Sequence, residues 1–169
     1  MDSCPLLLNM SAGAAHSQSG PAELERMAKD AGLSLEIILS HKPEEMTEHL
    51  KRLIAAGAPK VAVAGGDGTV SLAVQQLAHT QTALGILSMG TFNNFASTLR
   101  LHHNLPAALR TLKDGVVQSV DLGRAGGQYF TESAGAGLFA DALSLYGAGS
   151  NKNLLHGLYA TLRLALAFR

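Results

Sequence analysis

The chain has 169 residues, of which 47% are hydrophobic and 15% are charged, and this composition excludes a disordered tail or a solvated charged arm. Thirteen Lys and Arg residues balance thirteen Asp and Glu residues, so the chain lacks the basic footprint of a nucleic-acid binder. A single cysteine, Cys4, excludes an intramolecular disulfide, and seven histidines without cysteine partners do not form a zinc framework.

Length and terminal composition give further expectations. At roughly 100–200 residues per domain, the chain corresponds to one domain, or to one domain with a fragment of a second. The start of the chain has no basic segment, so we expect no signal peptide. No run approaches the roughly 18 apolar residues that cross a membrane. Together with the lone cysteine, these features favour a reducing, cytoplasmic compartment.

Short apolar runs alternate with longer segments of helical period along the first hundred residues. The predicted strands cover residues 6–8, 35–39, 60–64 and 84–87. The predicted helices cover residues 21–31, 43–56 and 70–78, and another helix follows residue 94. Four repeats of strand, loop and helix predict an α/β fold, a parallel-sheet three-layer sandwich with helices on both faces. The continuous apolar run at 60–64 is typical of a buried parallel strand.

The pattern changes after a predicted helix at 106–114. Two strands are predicted at 116–122 and 128–131, around a turn at 125–127, and helices follow at 138–146 and 153–168. We therefore expect an α/β nucleotide-binding domain over residues 1–124. Residues 125–169 are then the incomplete start of a second, β-rich domain. The last predicted helix reaches the final residue without a capping glycine or proline, which indicates a truncated second domain.

A glycine-rich loop follows the predicted strand 60–64 directly and leads into a helix. Its residues are Gly65, Gly66, Asp67, Gly68 and Thr69. Glycines at this place let backbone N–H groups approach an anion, and the helix N-terminus adds partial positive charge, so a phosphate chain fits. A carboxylate among phosphates suits a Mg²⁺ contact or the removal of a proton from an attacking hydroxyl. The plainer alternative is an ordinary Asp-Gly turn.

A second loop follows the next predicted strand and contains Gly90, Thr91 and Asn93. Its short polar side chains suit hydrogen bonds to a phosphate or a ribose. The plainer alternative is an asparagine-rich helix start, because asparagine is a good N-cap. Ligands of α/β sheets bind beyond the carboxyl ends of the strands, so two such loops on neighbouring strands favour the binding interpretation.

The two loops resemble those of the diacylglycerol kinase catalytic domain family, which includes bacterial lipid kinases and sphingosine and ceramide kinases. The opening Asn9-Met10-Ser11-Ala12-Gly13, the stretch 120–123 and the segment 130–140 resemble further motifs of that family. The glycine-aspartate loop alone is shared with NAD kinases and phosphofructokinases. The Gly-Thr-x-Asn pattern of the second loop narrows the resemblance to the lipid kinases.

The resemblance implies transfer of the γ-phosphoryl group of Mg-ATP to a lipid hydroxyl such as that of diacylglycerol. It implies Asp67 as the catalytic residue and as a Mg²⁺ contact through the phosphates. It implies nucleotide contacts at Asn9, Ser40, Gly65, Gly66, Asp67, Gly68, Thr69, Val70, Ser71, Gly90, Thr91 and Asn93. The implied partners are a nucleotide and a lipid at a membrane surface, with a peripheral place at the inner membrane face. An oligomer is compatible with the sequence.

Several positions depart from the family pattern. Met10 stands where proline is usual, the pair Ser71-Leu72 stands for Asn-Glu, Asn94 stands for aspartate and Glu132 for asparagine. Two alternatives to a lipid kinase stay open. One is an NAD kinase-like enzyme that phosphorylates a dinucleotide. The other is a nucleotide- or lipid-sensing module without catalysis.

Overall fold

The computed structural model describes residues 3–11, 20–101, 104–137 and 140. A four-stranded sheet and a short hairpin supply its strands, which are β1 (Cys4–Asn9), β2 (Leu35–Ser40), β3 (Lys60–Gly65), β4 (Ala83–Ser88), β5 (Gly123–Ala125) and β6 (Gln128–Phe130). The helices are α1 (Pro21–Asp30), α2 (Pro43–Ala55), α3 (Asp67–Leu77), α4 (Asn94–Thr98) and α5 (Leu105–Asp114).

The four strands β1 to β4 form one parallel sheet in the order β2-β1-β3-β4. Asn9 lies opposite Ser40 in the register of β1 and β2, and Gly65 lies opposite Ser88 in the register of β3 and β4. The strands therefore end together at one edge. The predicted α/β fold with a parallel sheet is confirmed.

Apolar side chains cover both faces of the sheet. Leu8 packs on one face with Leu24 of α1 and Leu109 of α5. Leu7 packs on the other face with residues of α2, α3 and α4, including Leu50. Because successive strand residues point to opposite faces, a single run of leucines in β1 serves both layers. This arrangement is the three-layer sandwich that the sequence predicts.

Helix α3 begins earlier than its predicted start at residue 70. The carbonyl oxygen of Gly66 accepts hydrogen bonds from the backbone N–H groups of Thr69, at 2.9 Å, and Val70, at 3.1 Å. Asp67 is consequently the first helical residue. Glycine and aspartate are typical turn residues, so composition alone places them in a loop, although here they form the first turn of the helix.

The strand predicted at 116–122 is wrong. The structure assigns that stretch to no strand, and the first strand of the hairpin, β5, begins only at Gly123. A strand needs a hydrogen-bonded neighbour, and none of the described strands pairs with this stretch. Its valines are exposed instead, Val116 by 86% and Val120 by 46%. The strand predicted at 128–131 is confirmed as β6, which pairs antiparallel with β5.

The contacts of the chain separate two compact units, Met1–Glu132 and Ser133–Arg169. The helices predicted at 138–146 and 153–168 lie outside the described residues, Ala140 excepted. The domain boundary predicted between residues 124 and 125, with its incomplete second domain, stays a prediction. Among the described helices, none combines the length and apolar character that crossing a membrane requires.

Cys4 lies at the start of β1 and is buried. Burial raises the pKa of its thiol, although the Lys60 ammonium acts in the opposite direction. The residue is therefore a protonated, small apolar side chain in the core, as its position before the first apolar run indicates.

We expect Leu7→Ala to lower the free energy of unfolding by about 2–5 kcal/mol, because Leu7 is fully buried in the central part of the sheet. Leu39→Ala is the matched control, since Leu39 lies on edge strand β2 and is 43% exposed. Urea unfolding of the chain followed by circular dichroism measures both. Equal losses in the two variants would contradict the described core.

Candidate nucleotide-binding site

The last residues of the four sheet strands, Asn9, Ser40, Gly65 and Ser88, form a row at the carboxyl edge of the sheet. Each lies two residues after a strand residue of the apolar cluster beneath α2 and α3. Since residues two apart in a strand share a face, all four lie on the face where α3 begins. A ligand at this edge therefore meets residues from every strand of the sheet.

Asn9 connects the end of β1 with the first turn of α3. Its Nδ2 donates to Thr69 Oγ1 at 2.8 Å, and its Oδ1 accepts from the backbone N–H of Ser11 at 2.9 Å. Thr69 is buried and Asn9 is half-buried, so the bond is partly shielded from solvent. One amide side chain thus fixes both the chain that leaves β1 and the start of α3.

The N-terminus of α3 is open. Gly66 is its N-cap and provides no side-chain cap. Within the described part of the chain, the backbone N–H groups of Asp67 and Gly68 have no hydrogen-bond acceptor. Unpaired N–H groups and the helix dipole together favour an anion at this position.

The two glycine-containing loops touch backbone to backbone. A Cβ added to Gly90 would lie 2.4 Å from the Cα of Gly66, and a Cβ added to Gly66 would lie 3.0 Å from the Cα of Gly90. A Cβ on Gly65 would lie 2.3 Å from Thr69 Oγ1. The close contacts at these three positions leave no room for a side chain and therefore require glycine. The sequence shows only that the loops contain many glycines and cannot show these contacts.

Asn93 closes the second loop on itself. Its Oδ1 accepts from the backbone N–H of Gly90 at 2.9 Å, and its Nδ2 donates to the carbonyl oxygen of Gly90 at 2.8 Å. Its backbone is left-handed, with φ of 54°, a conformation that asparagine tolerates better than most residues. The side chain therefore shapes the loop, and the exposed Thr91 and Phe92 form its tip.

Asp67 is half-buried at the first position of α3. Among the described residues it has neither a hydrogen bond nor an ion pair. No cluster of three or more His, Cys, Asp or Glu residues capable of holding a metal occurs in the described ranges. A cation here would have one carboxylate and the oxygens of a bound phosphate chain as ligands, an arrangement that Mg²⁺ commonly adopts.

Two buried serines lie at either side of this helix start. The hydroxyls of Ser40 and Ser88 are inaccessible and have no hydrogen-bond partner within the part of the chain that the structure describes. An unpaired buried hydroxyl costs about 1–3 kcal/mol, so an oxygen ligand that reached either one would be stabilised. The sequence reasoning missed Ser88, whose signal was a serine between a predicted strand and the second loop.

Hydrogen bonds fix the turn that follows Ser40 at the end of β2. The backbone N–H of His41 donates to Glu45 Oε2 at 2.8 Å, and Ser11 Oγ donates to the carbonyl oxygen of His41 at 2.5 Å. Hydrogen bonding by backbone N–H groups, that of His41 first, lowers the pKa of the Glu45 carboxyl. The ionised carboxylate therefore fixes the turn between β2 and α2 at neutral pH.

The structure brings most of the predicted site residues together at the carboxyl edge. Val70 is the exception, because its side chain is buried in the core under α3 and only its backbone lies near the loop. Ser71 follows on α3 and is half-buried. The backbone, more than the side chains, forms the part of the site built from residues 65–71.

A family model described as the diacylglycerol kinase catalytic domain matches residues 4–125. The chain belongs to this family. The match covers the parallel sheet, all five described helices and both loops of the site. The family resemblance that the two loops carry is confirmed.

Relatives and solved structures agree with that assignment. The chain is 38% identical over 80 residues to the diacylglycerol kinase of Bacillus subtilis, covering 46% of this chain and 26% of the relative. It is 30% identical over 144 residues to a Chromohalobacter salexigens protein named "Probable lipid kinase YegS-like", covering 83% of this chain and 46% of the relative.

A crystal structure of a diacylglycerol kinase from Bacillus anthracis matches with a TM-score of 0.64 and 27% identity. The match covers 76% of this chain and 47% of that one. The chain spans less than half the length of each of these relatives.

We expect Gly90→Ala to lower the free energy of unfolding by about 1–3 kcal/mol, because its Cβ would overlap the Gly66 backbone. Gly68→Ala is the matched control: among the described residues, no atom beyond its chain neighbours and its own helix backbone lies within 4 Å of the added Cβ, and alanine is the better helix former. Thermal unfolding of both variants measures the difference. If Gly68→Ala destabilised the chain as much as Gly90→Ala, the backbone contact would not be the cause.

Proposed function

We propose that this chain is the nucleotide-binding part of an ATP-dependent lipid kinase. The reaction is transfer of the γ-phosphoryl group of Mg-ATP to a lipid hydroxyl such as that of diacylglycerol. One observation carries the proposal: the uncapped N-terminus of α3, with the Asp67 carboxylate beside it, lies where the two glycine-containing loops meet. Membership of the diacylglycerol kinase catalytic domain family supports it.

The phosphate chain would bind at the start of α3. The backbone N–H groups of Asp67 and Gly68 are unpaired in the described structure and donate to its oxygens, and the helix dipole adds favourable potential. The exposed Thr91 hydroxyl is available from the second loop. Phosphoryl transfer depends mostly on positioning and charge neutralisation, so a site built from fixed backbone groups suits it.

Asp67 is the residue that would hold Mg²⁺, together with phosphate oxygens. The ion supplies neutralisation of the negative charge on the phosphates. Without such a cation, a carboxylate beside phosphate oxygens would repel them. The proton of the attacking lipid hydroxyl must also leave as the new P–O bond forms, and the Asp67 carboxylate oxygen that does not contact the cation could accept it.

The relatives support a lipid as the phosphoryl acceptor. One is named diacylglycerol kinase and another probable lipid kinase YegS-like. We therefore propose a lipid acceptor for this chain too. A cytoplasmic location, peripheral at the inner membrane face, is part of the same proposal. Nucleic acid is not an expected partner, since the chain carries no net charge.

We expect the purified chain to bind Mg·ATP in preference to NAD, and Asp67→Asn to weaken Mg·ATP binding at least tenfold, or about 1.4 kcal/mol. Without Mg²⁺, in EDTA, the same variant should bind ATP as tightly as wild type or more tightly, because a repelling carboxylate is gone. Isothermal titration calorimetry under both conditions measures these affinities.

Asp114→Asn is the matched control. Asp114 is the last residue of α5, two positions after Leu112. The carbonyl oxygen of Leu112 accepts from Nζ of Lys60, the first residue of β3. Asp114 therefore lies away from the carboxyl edge of the sheet. The control should leave both affinities unchanged. Preference for NAD would favour the dinucleotide kinase alternative. Binding without turnover, in a chain extended to the length of its relatives and given diacylglycerol, would favour a sensing module.

A further inference from the structure

The side chain of Gln75 hydrogen-bonds the β5–β6 hairpin to α3. Gln75 Nε2 donates to the carbonyl oxygen of Tyr129 at 2.5 Å, and the backbone N–H of Tyr129 donates to Gln75 Oε1 at 3.0 Å. The amide group therefore pairs with β6 as the backbone of a neighbouring strand would. Within the described ranges, these two are the hydrogen bonds that connect the hairpin to the rest of its unit.

Ring contacts surround this pair. The Tyr129 ring meets the ring of His79 edge-on, with 5.5 Å between centroids, and the guanidinium of Arg124 lies 5.6 Å from the Tyr129 ring centroid. Tyr129 also packs against the apolar cluster that contains the buried face of α3. The hairpin consists of two strands of only three residues, too short to be stable alone. Its position therefore depends on α3.

The two ends of α3 thus contact different parts of the protein. Its first residue, Asp67, carries the proposed phosphate site, and Gln75 holds the hairpin eight residues later, about 12 Å along the axis. The hairpin ends at Phe130, two residues before the first compact unit ends at Glu132. One helix fixes both the nucleotide loop and the place where the chain leaves that unit.

We propose that Gln75 is a positioning residue for the kinase reaction: it couples nucleotide binding at the start of α3 to docking of the β5–β6 hairpin. The inference rests on the proposed function. Coupling is reciprocal, so a nucleotide that orders the first turns of α3 strengthens hairpin docking, and a loosened hairpin weakens nucleotide binding by the same factor.

The test compares wild type with Gln75→Ala and with Gln76→Ala. Gln76 is the neighbouring residue of the same type on the same helix, it is half-buried as Gln75 is, and it has no hydrogen bond among the described residues. The two substitutions therefore change helix propensity equally. Only Gln75→Ala removes the two hydrogen bonds to the Tyr129 backbone. Mg·ATP affinity is measured by calorimetry, and exchange of the Tyr129 amide hydrogen is followed by NMR with and without Mg·ATP.

In wild type and Gln76→Ala, we expect saturating Mg·ATP to slow exchange of the Tyr129 amide. In Gln75→Ala this amide should exchange rapidly in both conditions, and Mg·ATP affinity should fall about fivefold, the lower end of ordinary coupling between sites. Gln75→Glu keeps the acceptor for the Tyr129 N–H and loses the donor, so it should restore part of the protection. If Gln75→Ala fails to fold, Gln75→Glu provides the test in its place.

Three results would overturn the inference, and they are distinguishable. Unchanged Mg·ATP affinity in both Gln75 variants, with Tyr129 exchange insensitive to nucleotide in wild type, would refute the coupling and leave nucleotide binding intact. Failure of the wild-type chain to bind Mg·ATP would refute the proposed function, and the coupling with it. If Gln76→Ala lowered Mg·ATP affinity as much as Gln75→Ala does, the effect would come from the helix and not from the hydrogen bonds between Gln75 and Tyr129.

Discussion

The contact between the backbones of Gly66 and Gly90 is the constraint on which the rest of the site depends. It brings the chain after β3 against the chain after β4, closer than any side chain would permit. The hydrogen bond from the Met89 N–H to the Gly65 carbonyl oxygen, 2.8 Å, extends the ladder of the two strands into this contact. The two loops are therefore held against each other by their backbones, beside the start of α3.

The same constraint explains why the site needs few charged side chains. In the described structure the start of α3 offers unpaired N–H groups and a helix dipole, and it places one carboxylate beside them. Such groups attract an anion only if their directions are fixed, because each contributes a partial charge. Asn9 fixes the first turn through Thr69, and Asn93 fixes the second loop through Gly90. Two asparagines thus fix the backbone of both loops at the site.

Much of this could be predicted from the sequence because parallel sheets place the ends of their strands at one edge. The apolar runs gave the four strands nearly at their observed bounds, and the two loops after β3 and β4 followed from that order. Distances within the site could not be predicted, since the bond from Asn9 to Thr69 joins residues 60 apart in sequence. The strand predicted at 116–122 is absent for a related reason: a stretch rich in valine favours an extended chain but cannot supply the neighbour with which a strand must pair.

Gln75 shows where pattern reasoning reaches its end. On a helical period it is a polar residue between the buried Val74 and Leu77, and nothing local distinguishes it from Gln76. Only the fold brings the Tyr129 backbone to its amide. An amide can pair with a peptide N–H and a peptide carbonyl together because its carbonyl oxygen accepts and its NH2 group donates in the same plane. An alanine would leave both peptide groups unpaired, whereas a glutamate would leave one. The chemistry of this one side chain therefore decides whether the hairpin is held in a defined place on the helix that begins at the site.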